Sequence, residues 1–232
     1  MNFGRVCFRC LNLQPFQLFK GHIIREKIKM TLSDSILKQR IVGIGYGCKF
    51  GGTTVICYNI FHEVKFILSS KNADADAFIL NEIIHIDPDI VFIDAPLSLP
   101  GVYKHINGCM DYFFRKCDSE MEASSPMFAG GLTARAIGLK KQLNNFGFQV
   151  FETYPRKMLE VLSLPVSIYK QEIADLDSML DIFMKKVCIA LNKRLITTWR
   201  HFDSLLAFFS GLRYITEQSK VFGRAEEGLV YV

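Results

Sequence analysis

Residues 41–56 read IVGIGYGCKFGGTTVI, and this stretch decides the fold of the 232-residue chain. An apolar run, Ile41–Ile44, enters a turn that contains four glycines, and a β-branched run, Thr53–Ile56, leaves it. Two such runs joined by a glycine-rich turn predict a pair of antiparallel strands. Because glycine has no Cβ, the turn also permits close approach of a bulky ligand to the backbone. The stretch therefore predicts the opening hairpin of a sheet.

The segments that follow alternate between strand and helix patterns. A third strand is predicted within 58–68, buried parallel strands over 90–93 and 148–151, and helices over 75–85, 132–145, 156–162, 173–191 and 201–214. Continuous apolar runs are typical of buried parallel strands, whereas apolar residues three and four apart indicate helices. The order predicts an α/β domain over residues 41–232. Its mixed five-stranded sheet has three antiparallel strands, then two parallel ones, with helices on both faces. Residues 101–130 are predicted to form an insertion at the mouth of the sheet.

The first 40 residues differ in composition from the rest of the chain. Residues 1–29 hold six Lys and Arg against one Glu, which accounts for the net charge of +5, and the remainder carries 22 basic and 22 acidic residues. A transit-like peptide, a nucleic-acid-binding arm and translated sequence upstream of a start at Met30 all fit this pattern. We expect residues 1–40 to form a flexible basic appendage. Any basic groove in the body would need local clustering of charge.

Composition excludes several classes of protein. Half of the residues are hydrophobic and 22% are charged, which is typical of a globular domain, and no apolar stretch approaches the roughly 18 residues of a membrane helix. Seven cysteines without a convincing secretory signal predict a reduced, cytoplasmic protein. The one CxxC pair, Cys7 and Cys10, has no second pair at metal spacing, which argues against a zinc or redox site.

Three carboxylates are predicted at the edge of the sheet where active sites of open α/β sheets lie. Asp94 and Glu152 end the two predicted parallel strands, and Asp203 lies in the first turn of the last long helix. Crowded carboxylates repel one another and are stabilised by a divalent cation, and oxygen ligands favour Mg²⁺ or Mn²⁺. The three residues are therefore predicted metal ligands and catalytic residues. A turn cap, an ion pair or a helix N-terminal acid remains the alternative for each of them.

Several motifs occur in order over residues 41–232. They read IVGIGYGCKFGGTTV, VFIDAPLSLP, RKCDSEME, FQVFETYPRKML, and HFDSLLAFFSGLRY followed by GRAEEGLVYV. Together they resemble the predicted RNase H-like nucleases of the family called domain of unknown function four-two-nine. The resemblance implies an RNase H-type fold, a divalent-metal site and nucleic acid, DNA or RNA, as substrate. By position, Asp94, Glu152 and Asp203 match the family's acidic residues, and Arg115 and Asp118 match its arginine–aspartate block.

Gly45 departs from the family pattern. The resemblance implies an acid between Ile44 and Tyr46 that bridges two metal ions from the central strand, and glycine offers no ligand atom. Position 45 is therefore predicted to be a degenerate catalytic position, at which an Asp would tighten metal binding and raise nuclease activity.

Four further residues are predicted to contact the substrate. For Arg115 and Asp118, the alternative to substrate binding is a local ion pair with each other. For Lys140 and His201, the alternative to contact with a substrate phosphate is a position on a solvated helix face. The four residues are Arg115, Asp118, Lys140 and His201.

Three functions follow from these observations. The first is metal-dependent hydrolysis of nucleic acid phosphodiesters, impaired by Gly45. The second is a catalytically inactive nucleic-acid-binding or structural relative of the nuclease fold. Sugar-kinase or actin-type ATPases open with a similar glycine hairpin, but they need a second phosphate loop, and the pattern of residues 45–54 is not repeated. A homodimer is compatible with the sequence, and no membrane partner is expected.

Overall fold

The computed structural model describes residues 38–60, 63–187 and 191–232, which form one mixed seven-stranded sheet with helices on both faces. The strands are β1 (Ile41–Gly45), β2 (Val55–Ile60), β3 (Glu63–Leu68), β4 (Ile90–Ile93), β5 (Val150–Glu152), β6 (Val221–Arg224) and β7 (Gly228–Tyr231). The helices are α1 (Ala75–Ile86), α2 (Lys116–Met121), α3 (Pro126–Ala129), α4 (Gly131–Asn145), α5 (Pro155–Val161), α6 (Asp175–Val187) and α7 (Trp199–Ile215). Short 3₁₀ helices occupy Gly101–Lys104, Val166–Ile168 and Lys193–Leu195. The expected appendage lies outside the described residues up to position 37.

The strands follow the order β3-β2-β1-β4-β5-β7-β6 across the sheet. β1 is central: it pairs antiparallel with β2, where Ile44 faces Ile56, and parallel with β4, where Ile44 faces Ile93. The predicted opening hairpin and the mixed α/β architecture are therefore confirmed. Because β1, β4 and β5 run parallel, their carboxyl ends meet at one edge.

The sheet has seven strands where the sequence predicted five. The two additional strands, β6 and β7, form an antiparallel hairpin, and β7 pairs parallel with β5 through Glu152 and Val230. Each has only four residues, and Gly223 interrupts β6 with a φ of 98°. A run this short, with an internal glycine, does not carry the alternation that indicates a strand.

The two faces of β1 bury different helices. Val42 and Ile44 pack in a cluster with residues of α1 and α4, whereas Ile41 packs with residues of α5, α6 and α7. The backbone of helix α7 packs directly against the backbone of β1 at Gly43. A Cβ built on Gly43 would lie only 2.0 Å from the backbone N of Phe208. Helices therefore cover both faces, as predicted.

The β6–β7 hairpin also fixes the region that follows β4. The carboxylate of Glu227, in the turn of this hairpin, accepts hydrogen bonds from the backbone N–H groups of Gly101 and Lys116, both at 2.7 Å. Cys117 and Met121 of α2 pack with Val230 of β7. The segment that the sequence predicted as an insertion is therefore bound to the far strands of the sheet at the carboxyl edge.

Candidate functional site

A cleft of about 420 Å³ opens at the carboxyl edge of the sheet. Asp94 and Glu152 line it from the ends of β4 and β5, Arg200 from α7, and Phe128 from the segment 101–130. Two of the three predicted metal ligands therefore reach the same cleft. The third, Asp203, is fully buried and does not line the cleft.

A guanidinium lies between Asp94 and Asp203. The Nη1 atom of Arg200 is 3.4 Å from Oδ2 of Asp94 and 3.3 Å from Oδ2 of Asp203. Lys170 adds a second cation, with its Nζ atom 2.9 Å from Oδ2 of Asp203, and the hydroxyl of Tyr169 donates to the other oxygen of Asp203. Two carboxylates thus face two cations, so the centre is neutral when all four groups are charged.

Asp94 has an altered acidity. Burial, followed by the negative charge of Asp203, raises the pKa of Asp94 to about 7, although Lys170 and Arg200 act in the opposite direction. Its side chain is 16% exposed, which is enough for it to line the cleft. Near neutral pH the cleft therefore changes its charge with small changes in pH.

Glu152 belongs to a separate buried network. Arg115 donates to both of its carboxylate oxygens, at 2.7 and 2.6 Å, and also to both oxygens of Asp118, at 2.9 and 2.7 Å. Ser98 and the backbone N–H of Leu97 complete the network. Arg115 and Asp118 are thus an ion pair that anchors α2 to the end of β5. Their predicted role in substrate binding stays a prediction.

Gly45 has a packing role that the sequence did not reveal. A Cβ at this position would lie 2.6 Å from the carbonyl oxygen of Arg200 and 3.0 Å from its Cδ. The first turn of α7 therefore occupies the space into which an acidic side chain at position 45 would extend. The absence of a side chain at position 45 and the close approach of Arg200 are two aspects of one local packing arrangement.

The remaining predicted residues, His201 and Lys140, do not line the cleft. His201 is buried; its Nδ1 atom lies 2.7 Å from Oγ1 of Thr198, and its ring packs against Phe66. Residues two apart in a helix differ by about 200° around the axis, so His201 and Asp203 point to different sides of α7. Lys140 is half-buried, and burial lowers its pKa. Among the described residues it forms no ion pair within 4 Å, although it feels the charge of Glu152.

The carboxylates of the centre are already paired with cations of the protein. Only two carboxylates face a common point, that point holds a guanidinium, and Glu152 is bound to Arg115. Within residues 38–60, 63–187 and 191–232, no group of three or more His, Cys, Asp or Glu could hold a metal ion. Mg²⁺ or Mn²⁺ as a cofactor stays a prediction.

Sequence reasoning missed Arg200, Lys170 and Tyr169. One signal could have identified Arg200, because it stands three residues before Asp203 and thus shares its face of the helix. No local pattern links residues 169 and 170 with position 203, since that contact depends on how the chain returns to α7.

Comparisons with models of protein families, with curated proteins and with solved structures gave no match. In the part of the chain that the structure describes, no helix is both long and apolar enough to cross a membrane.

Proposed function

We propose that this protein binds nucleic acid through an RNase H-like domain without hydrolysing it, and that Arg200 and Lys170 supply positive charge in place of divalent ions. In support of this proposal, the strands β3, β2 and β1 pair antiparallel, and β4 and β5 continue the sheet parallel to β1. The cleft opens where active sites of open α/β sheets lie.

The position of Arg200 between Asp94 and Asp203 carries this proposal. Its Nη1 atom is equidistant, within 0.1 Å, from one oxygen of each carboxylate. Carboxylates near one another in a poorly solvated site need a nearby positive charge. Here two side chains of the protein provide that charge, so the electrostatic requirement is met without an ion.

The same arrangement opposes hydrolysis. Metal-dependent cleavage of a phosphodiester needs an ion that activates water and stabilises the leaving oxygen. A guanidinium stays protonated in proteins and has no free lone pair, so it cannot take a proton from water. It can, however, bind a phosphate through two parallel N–H groups.

Arg200 retains donors for such a contact. Only its Nη1 atom has a hydrogen-bond partner among the described residues, Oδ2 of Asp94, and that bond is long, at 3.4 Å. Its side chain is 33% exposed and lines the cleft. A phosphate oxygen could therefore accept from Nε and Nη2 while the carboxylates keep Nη1.

The test is a binding and cleavage assay with labelled DNA and RNA, in EDTA and in Mg²⁺ or Mn²⁺. We expect binding that weakens with added salt, an unchanged dissociation constant in EDTA, and no cleavage products. Metal-dependent cleavage, or no binding to any nucleic acid at low salt, would overturn the proposal.

A pair of arginine variants separates local contact from bulk charge. Arg200→Gln should weaken binding by about 10- to 150-fold, since a charge-assisted hydrogen bond contributes about 1.5–3 kcal/mol. Arg194→Gln removes the same charge from an exposed arginine of the last 3₁₀ helix and should change affinity little. Thermal unfolding of both variants verifies that the binding data refer to folded protein.

A further inference from the structure

The segment 101–130 exposes an unusual set of aromatic side chains. Phe128 is 71% exposed, and three further rings are about half-exposed. Those three are Tyr103, Tyr112 and Phe113. The rings contact one another: the centroids of Tyr103 and Tyr112, and those of Phe113 and Phe128, are each 6.0 Å apart.

The backbone that carries these rings is extensively hydrogen-bonded. The carboxylate of Asp111 accepts from the N–H of Phe113 at 2.7 Å, and the hydroxyl of Ser125 donates to the carbonyl of Phe113 at 2.5 Å. Ser125 also caps α3, which carries Phe128, by accepting from the N–H of Met127 at 3.0 Å. Folding has therefore already ordered the backbone that carries these rings. A ligand that stacks on them does not have to order it again, which lowers the entropic cost of binding.

Phe128 shares the cleft with Arg200. The cleft thus combines an apolar aromatic face with guanidinium N–H groups that have no partner among the described residues. A flat ring with an attached anion is complementary to that combination, because base–aromatic stacking and phosphate–arginine bonds are the two contacts that single strands use.

We propose that the cleft binds one unpaired nucleotide, with its base stacked on Phe128 and its phosphate at Arg200, so that the protein prefers single-stranded to double-stranded nucleic acid. This inference rests on the proposed nucleic-acid binding and specifies its substrate class. The cleft volume of about 420 Å³ is in the range that holds a small ligand, and it is too small for a duplex.

The preference for single-stranded over double-stranded nucleic acid follows from the accessibility of the base faces. In a duplex both faces of each base are covered by its neighbours, and extrusion of a base requires its stacking and pairing to be broken. An unpaired base offers its face to Phe128 without that cost. The rings could also cover an apolar protein surface, but such a partner would leave the free donors of Arg200 unpaired in the cleft.

The test compares two exposed phenylalanines. Phe128→Ala should weaken binding of a labelled single strand by about 5- to 150-fold, the range measured for the loss of one stacked base. Phe146→Ala removes a ring of similar exposure that does not line the cleft and should leave binding unchanged. The matching duplex should bind the unaltered protein more weakly than the single strand does.

The outcomes distinguish the inference from the function on which it rests. Equal or tighter binding of the duplex, with no effect of Phe128→Ala, would overturn the inference and leave nucleic-acid binding intact. Absence of binding to every strand would overturn both. If light scattering shows a dimer that Phe128→Ala dissociates while single-strand binding is unchanged, these rings form an interface between copies and the inference is wrong.

Discussion

The guanidinium of Arg115 binds the carboxylate of Glu152 through two parallel hydrogen bonds, Nη1 to Oε2 at 2.7 Å and Nη2 to Oε1 at 2.6 Å. Both side chains are almost completely buried, and Arg115 binds Asp118 as well. One buried arginine is therefore the shared ion-pair partner of two buried carboxylates. It also links Glu152, at the end of β5, to α2.

Loss of that arginine should be among the most destabilising single changes in this domain. Arg115→Met leaves Glu152 and Asp118 buried without a counter-charge, so we expect the free energy of unfolding to fall by about 3–5 kcal/mol in urea denaturation. Arg156→Met, at an exposed position in α5, should change it by less than about 0.5 kcal/mol.

A rescue experiment tests the cause of that loss. Adding Glu152→Gln and Asp118→Asn to Arg115→Met removes the uncompensated charges and should restore part of the lost stability. If the triple variant is no more stable than Arg115→Met, lost packing rather than unpaired charge explains the effect.

Asp94 should make stability depend on pH. The pKa of Asp94 is raised from 3.8 to about 7 by burial and by Asp203, so the folded state holds an extra proton between these values. The stability contributed by this group is complete below about pH 4 and is lost as the pH rises through 7. Asp94→Asn should therefore be more stable than the unaltered protein by about 1–3 kcal/mol at pH 8, with the difference disappearing near pH 4.

Asp74 provides a control of opposite sign. Although burial raises its pKa, hydrogen bonds from the backbone N–H groups of Ala77 and Asp76 lower it overall. Its stabilising contribution is therefore present above the ordinary carboxyl pKa and is lost as the pH falls. Asp74→Asn should destabilise the protein at neutral pH and have little effect in acid. The same pH profile for both variants would contradict the assignment for Asp94.

Two glycine variants test why position 45 carries no side chain. Gly45→Ala places a Cβ 2.6 Å from the carbonyl oxygen of Arg200 and should cost about 1–3 kcal/mol. Gly138, in α4, has no atom within 4 Å of such a Cβ, so Gly138→Ala should stabilise by about 0.5–1 kcal/mol. Gly45→Asp should be destabilised in the same way and gain no affinity for Mn²⁺. A stable Gly45→Asp protein that binds Mn²⁺ and cleaves nucleic acid would instead support the prediction made from the sequence.

Arg200 should control whether the centre binds a cation. Arg200→Ala leaves Asp94 and Asp203 with Lys170 as their nearest cation, so Mn²⁺ should raise its melting temperature while that of the unaltered protein stays nearly constant. Adding Asp94→Asn to Arg200→Ala should abolish the Mn²⁺ shift. A large shift in the unaltered protein would show that a divalent ion displaces the guanidinium.

The fold was predictable wherever one local pattern dominated. Ile41–Ile44 and Ile90–Ile93 are continuous apolar runs, and the structure makes them central parallel strands. The β6–β7 hairpin was not predictable in this way, because its four-residue strands are stabilised by pairing with β5 and by packing of α2. Tertiary contacts, not local pattern, select the extended conformation there.

The sequence predicted where two of the carboxylates lie, but not which cation each carboxylate binds. Strand ends placed Asp94 and Glu152 at the cleft, since the carboxyl ends of parallel strands share an edge. Which cation a carboxylate binds can depend on residues far apart in the chain, such as Arg115 and Glu152, which are 37 positions apart. Periodicity contains no information about such contacts.

The carboxylate of Glu227 has a consequence for the order of folding. Its two hydrogen bonds close loops of 126 and 111 residues, to Gly101 and Lys116. Contacts of such long sequence separation form late and slowly, because the entropy of loop closure must be lost before the contact contributes. During synthesis, Arg115 can already bind Glu152 at the end of β5 before the last strands appear. The two bonds of Glu227 are added only after residues 221–231 have left the ribosome and formed their hairpin beside β5.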